Sequence, residues 1–220
     1  LFTSEGDGLC EEAGSFLKEM YKENRTDGKV LFCLAYHVDY WNKLGWKDPF
    51  SRFQYTRRQE NYSRVLPSRE MYTPQFVVNG TAEYTLKEKE KIKSAVKSSW
   101  QKAQDVTLQI TLDSLQHDTA YISWSHNRPD KNLVLQIAYT ENAIASLITK
   151  GENSGKTLHH DHLVKTLFAV NSPAISGQSR IILRDRKELN NAEIIGFLQN
   201  KQNYRILAAD GISLDTEVQR

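Results

Sequence analysis

The chain reads as an α/β layer followed by an all-β region, with the change near residue 105. Up to Gln104, apolar runs of strand length alternate with helical patterns, which is the mark of a parallel-cored sheet covered by helices. After it, short apolar segments from "VTLQITL" to "YRILAA" follow one another, several alternating and all separated by turn residues. That pattern predicts a β-sandwich-like domain. With 220 residues, 39% hydrophobic and 25% charged, the chain has material for one large core or two small ones. The expected domains are 1–104 and 105–220.

Each element follows from its own residues. Leu1-Phe2-Thr3-Ser4 reads as the tail of a strand that begins upstream. Ala13, Phe16, Leu17, Met20 and Tyr21 recur at helical spacing, which predicts an amphipathic helix over 10–24. The turn "NRTDGK" stops it. "KVLFCLAYHV" is nearly continuous in apolar residues and predicts a buried parallel strand over 29–38. The aromatic and basic stretch 47–66 predicts a helix. "YTPQFVVNG" predicts a proline-led strand and an Asn-Gly turn. Ile92, Val96 and Trp100 mark one face of a charged helix over 87–104. The segments "TAYISWSH", "NLVLQIAY", "AIASLIT", "LVKTLFAV", "SRIILR" and "AEIIGFLQN" supply the strands of the second domain.

Composition narrows the partners. A formal net charge of +2 is too near zero to argue for nucleic acid or an anionic membrane surface. The longest apolar run is far too short to span a bilayer as a helix. Two cysteines make no disulfide framework. Cys33 lies inside a strand and Cys10 beyond the end of another, so the pair is not expected to bridge.

The first loop, "EGDGLCEE", carries a lone cysteine at a helix start with Asp7 three residues before it. A cysteine at position 7 would have made a C-x-x-C. A dithiol exchanger needs an exposed thiolate and a second thiol to resolve the mixed disulfide. Asp7, Glu11 and Glu12 also oppose ionisation of Cys10. Cys10 therefore reads as a semi-buried structural cysteine, the alternative being a one-cysteine oxidoreductase or thiol transferase. Asp7 reads as a capping or turn residue, with a ligand contact as the alternative.

His37 and Asp39 alternate on the second strand and point to one face. Such a pair can act as a general acid/base or bind a metal, or it can hold the strand end by a hydrogen bond. The hydrogen-bonded pair is favoured, because no nucleophile or third ligand accompanies it. Tyr40, Trp41 and Trp46 either line an apolar cleft or fill core. His159, His160 and His162 surround Asp161, but neighbours on a strand face opposite ways, so a shaped turn is favoured over a metal site. No cofactor and no metal is expected.

"LFTSEG", "AYHVDYWNKLGWKDPF", "YTPQFVVNG" and "GENSGKTLHHDHLV" together resemble the signature blocks of the DUF1223 family, across nearly the whole chain. The resemblance implies an exported bacterial protein with a thioredoxin-like first domain, hence an extracytoplasmic location. Its partner would be an extracytoplasmic protein or a small molecule. The family usually shows a C-x-x-C followed by two prolines at the first loop. Here Cys10 matches the second cysteine, Asp7 stands for the first, and Glu11-Glu12 replace the prolines. Thr73-Pro74 resembles the loop that presents a cis-proline beside the redox cysteine in thioredoxin-like folds. The implied reading is a non-redox binding or scaffolding protein.

Overall fold

A computed structural model describes residues 1–101, 105–171, 173–183 and 189–214. The chain divides into two compact units, Leu1–Lys102 with Ala143–Leu163, and Ala103–Asn142 with Val164–Arg220.

The first unit begins with β1 (Phe2–Thr3), followed by α1 (Cys10–Thr26), β2 (Tyr36–His37) and α2 (Phe53–Ser63). Then come β3 (Gln75–Val78), β4 (Ala82–Thr85) and α3 (Lys89–Trp100). The sheet order is β2-β1-β3-β4. β1 and β2 are parallel, whereas β3 runs antiparallel to both β1 and β4. Asn79 and Gly80 both take positive φ in the β3–β4 turn, as a tight hairpin connection needs. In α1 the acidic Glu11 and Glu12 stand in the first turn and Arg25 in the last, the arrangement the helix dipole favours. Ala13, Phe16, Leu17 and Met20 on α1, Phe76 on β3, and Ile92 and Val96 on α3 are buried in one cluster.

The strand predicted over 29–38 is shorter than expected. Only Tyr36–His37 joins the ladder, and Val30 is exposed. Just before Tyr36, Ala35 bridges in parallel to Leu163, its N–H donating to the His162 carbonyl.

The second unit contains β5 (Leu108–Gln116), β6 (Thr119–His126) and β7 (Leu133–Glu141). A hairpin of β8 (Ile144–Leu147) and β9 (Thr157–His160) then belongs to the first unit. The second unit resumes with β10 (Leu163–Asn171), β11 (Ser176–Ile182), β12 (Ala192–Asn200) and β13 (Ile206–Ser213). One sheet runs β10-β7-β12-β13 and the other β11-β6-β5. Both feed one core: Ile110, Ala120, Ile122 and Trp124 from the second sheet, and Leu135, Ile137, Tyr139, Ile194 and Leu198 from the first. The inward residues fall two apart along each strand, as pleating requires.

The continuous domain predicted over 105–220 is thus interrupted. Residues 143–163 have the short apolar runs of a β domain, but a two-stranded hairpin carries no signal in its own sequence for the body it packs against. Gln104, where the first domain was expected to end, lies outside the described residues.

Candidate functional site

The loop between β1 and α1 is built inward rather than toward solvent. Ser4, Glu5 and Asp7 are all buried. Asp7 Oδ1 accepts the Leu9 N–H at 2.9 Å, and its carbonyl accepts the Cys10 N–H at 3.1 Å. Both bonds set the turn that leads into α1, so Asp7 acts as a turn residue, while the helix N-cap itself, Leu9, has no side-chain cap bond. The other oxygen, Oδ2, accepts the Thr73 hydroxyl at 2.6 Å, and the Thr73–Pro74 peptide is cis. Asp7, Cys10, Thr73 and Pro74 therefore come together, from stretches more than sixty residues apart.

Cys10 is buried, and its sulfur accepts the Ser4 N–H at 3.3 Å. Burial, and after it the Asp7 charge, push the thiol up to about 12. Glu11 and Glu12 do not take part. They are exposed, Glu12 pairing with Lys89 at 2.7 Å and Glu11 approaching Lys156 at 4.0 Å. Neither cysteine is in a disulfide, and both are buried. Native protein is therefore expected to resist a thiol reagent such as Ellman's, while denatured protein titrates both thiols without reductant. A fast-reacting thiol in the native state would contradict this.

His37 does not pair with Asp39. Its Nδ1 meets Asp48 Oδ2 at 2.7 Å, with both side chains sealed from solvent. Asp48 Oδ2 also accepts the Glu5 N–H at 2.9 Å, and Oδ1 accepts the Phe50 N–H at 2.9 Å. Burial works to raise the Asp48 carboxyl, but His37 and these two N–H groups outweigh it and hold the group below its ordinary value. An ionised Asp48 places the His37 proton on Nδ1, and Nε2 has no hydrogen-bond partner. Asp39 turns instead to α2, where its carboxylate and its N–H both bond the Thr56 hydroxyl.

Glu5 is the second buried carboxylate. Its Oε1 meets His160 Nε2 at 2.8 Å and its Oε2 accepts the Trp46 indole N–H at 2.7 Å. The His37 and His160 rings stand edge to face, 4.9 Å between centroids, with Phe50 against both. Asn153 donates to the Glu5 carbonyl at 2.9 Å and the Asp7 carbonyl at 3.3 Å. The hairpin thus clamps the β1–α1 loop. Gly151 has φ +78°, and a Cβ there would lie 3.2 Å from the Trp46 Cβ, so only glycine fits without strain.

The other sequence candidates divide. Trp46 belongs to the buried network. Trp41 lies across Gly6, whose absent side chain makes the room. Tyr40 is half-buried, and burial pushes its hydroxyl up to about 12. His159 is exposed and His162 is buried against the Tyr21 ring at 4.4 Å. Burial lowers His162 to about 4. Asp161 pairs with Lys18 at 2.8 Å. Among the described residues no group of three His, Cys, Asp or Glu side chains is placed to hold a metal ion. Glu5, Asp48, Asn153 and Thr56 were not among the candidates. The first three fall inside quoted blocks, but nothing in their spacing pairs them with a partner.

This combination of a mixed sheet with three helices and separate antiparallel sheets is a fold already seen in a crystal structure. A protein from Agrobacterium tumefaciens matches over 98% of this chain and 93% of its own, with a TM-score of 0.70 at 24% identity. A domain of the outer membrane lipoprotein Omp28 from Porphyromonas gingivalis matches half of this chain and 94% of its own at 11% identity, with a TM-score of only 0.31. No curated protein sequence matches the chain. The chain belongs to the DUF1223 family, proteins of unknown function, whose family model matches residues 1–199. No helix among the described residues is long and apolar enough to cross a membrane.

Proposed function

We propose that the first unit is a thioredoxin-like binding module that has exchanged thiol chemistry for fixed hydrogen bonding, acting outside the cytoplasm as the family resemblance implies. The observation that carries this is Asp7. Standing where a nucleophilic cysteine would, its two carboxylate oxygens are occupied by the Leu9 N–H and the Thr73 hydroxyl. Its chemistry there is that of a turn residue that joins the β1–α1 loop to the cis-proline loop.

The buried Cys10, with its thiol raised by burial and by Asp7, counts against the one-cysteine alternative, since the thiolate is the reacting species. The partner class is an extracytoplasmic protein or a small molecule, with the β-sandwich-like second unit as platform. The test is insulin reduction. Wild type is expected to be inactive, and so is Cys10→Ser. Asp7→Cys places a thiol three residues before Cys10 and is expected to form a reducible disulfide, seen as a two-thiol gain on reduction. Catalytic reduction by wild type that Cys10→Ser abolishes would overturn the reading.

A further inference from the structure

The near-neutral charge of the whole chain conceals a local excess. Between residues 43 and 71 there are seven Lys and Arg against three Asp and Glu. The fold withdraws charges of both signs, for Arg58 is buried and Arg57 is taken up by Glu60. Asp48 is buried against His37 and Glu60 pairs with Arg57 at 2.5 Å, which leaves Glu70 as the exposed acid of the stretch. Lys43, Lys47, Arg64 and Arg69 are all exposed and make no ion pair among the described residues.

The same stretch also exposes apolar side chains. Leu44, Phe53, Val65 and Met71 are four of the nine large hydrophobic residues that stand in solvent among the described residues. Phe53 is 66% exposed. Helix geometry gathers these groups. α2 buries Tyr55, Thr56, Arg58, Gln59 and Tyr62, so Phe53, Arg57 and Arg64 line its outer side at helical spacing. At the helix start, Asn42 bonds Ser51 and the Asp48 N–H, each at 3.0 Å. These bonds tie the loop that carries Lys43, Leu44 and Lys47 to Ser51, two residues before Phe53. Just past the helix end come Val65, Arg69 and Met71.

We infer that this face of α2 docks on an anionic phospholipid bilayer, its cations at the phosphates and Phe53 and Leu44 in the boundary layer. Interleaved cations and isolated large apolar groups are what an interfacial contact needs. A soluble polyanion would satisfy the cations but leave Leu44, Val65 and Met71 without a counterpart.

The experiment is flotation of the whole chain with phosphatidylcholine vesicles, with and without phosphatidylglycerol, at low and high salt. Wild type is expected to float only with the anionic vesicles, and high salt should release it. Each cation near such a surface contributes roughly a fivefold gain, so Lys43→Gln/Lys47→Gln/Arg64→Gln should lower partitioning on the order of 100-fold. Lys29→Gln/Lys97→Gln/Arg180→Gln removes the same charge elsewhere and should have a far smaller effect. Phe53→Ser should weaken partitioning about tenfold. All these positions are exposed or half-exposed, so thermal unfolding should be unchanged and serves as the check on folding. Three results would each overturn the inference: no preference for anionic vesicles, equal losses from the two triple variants, or a Phe53→Ser variant that binds as wild type. The last, with heparin displacing all bound protein, would identify the face as a polyanion site instead.

Discussion

Asp48→Ala is expected to destabilise the first unit by about 3–5 kcal/mol, the cost of removing one partner from a buried charged pair. The loss reaches further than the pair. The Glu5 and Phe50 N–H groups would lose their acceptor, and the His37 imidazole would be left buried with neither nitrogen bonded. Hydrogen exchange of peptides from the first unit should accelerate, and the urea midpoint for that unit should fall. Asp48→Asn keeps the shape and one oxygen and should cost less. The pH dependence has a definite sign. A carboxyl held below its ordinary 3.8 in the folded state contributes stability in full above that value and loses it as pH falls through the lower folded one. The gap between wild type and Asp48→Asn should therefore be constant near neutrality and shrink below about pH 4. A gap that widened on acidification would contradict the assignment of charge to Asp48.

Leu135→Ala is expected to cost the second unit about 3 kcal/mol. Leu135 is fully buried on β7, in the core shared by the two sheets. Its removal leaves a cavity beside Leu198, its partner on β12, in a core that is already close-packed. With two units in the chain, a single unfolding free energy is not a safe readout. The measurement is exchange protection of peptides from β5 to β7 and β12, compared with peptides from α1 and α3. Loss confined to the former is the expected result. Uniform loss across both units would show that they unfold as one.

Much of the first unit could be read from the chain because its signals are local. The helical spacing of Ala13, Phe16, Leu17 and Met20 predicted α1, and the Asn-Gly pair predicted the β3–β4 hairpin. The period-two alternation of Ala120, Ile122 and Trp124 predicted β6. The candidate site was legible only in part. Asp7 at a turn followed from a single position whose chemistry is short-range, whereas the cis Thr73–Pro74 peptide was expected only from the family resemblance of "YTPQF". His37 and Asp39 were paired by their spacing, but β2 ends at His37, so the alternation does not carry on to residue 39. The true partner, Asp48, comes from a loop eleven residues later, where no period exists. Glu5 and His160 are 155 residues apart, and one sequence gives no means of matching a buried carboxylate to a distant imidazole.

The hairpin that supplies His160 and Asn153 also governs the order in which the molecule can be completed. The chain passes between the two units three times, so neither is finished when its first segment leaves the ribosome. When residue 102 emerges, Glu5 still lacks its histidine, and the Glu5 and Asp7 carbonyls still lack the Asn153 amide. The strands β5, β6 and β7 are synthesised next, before the clamp exists. The first unit closes only after residue 163, and the second only after β13. Vectorial folding, one domain after another, is therefore closed to this architecture. A fragment ending near residue 104 would carry the whole β1–α1 loop and none of the side chains from 143–163 that hold it.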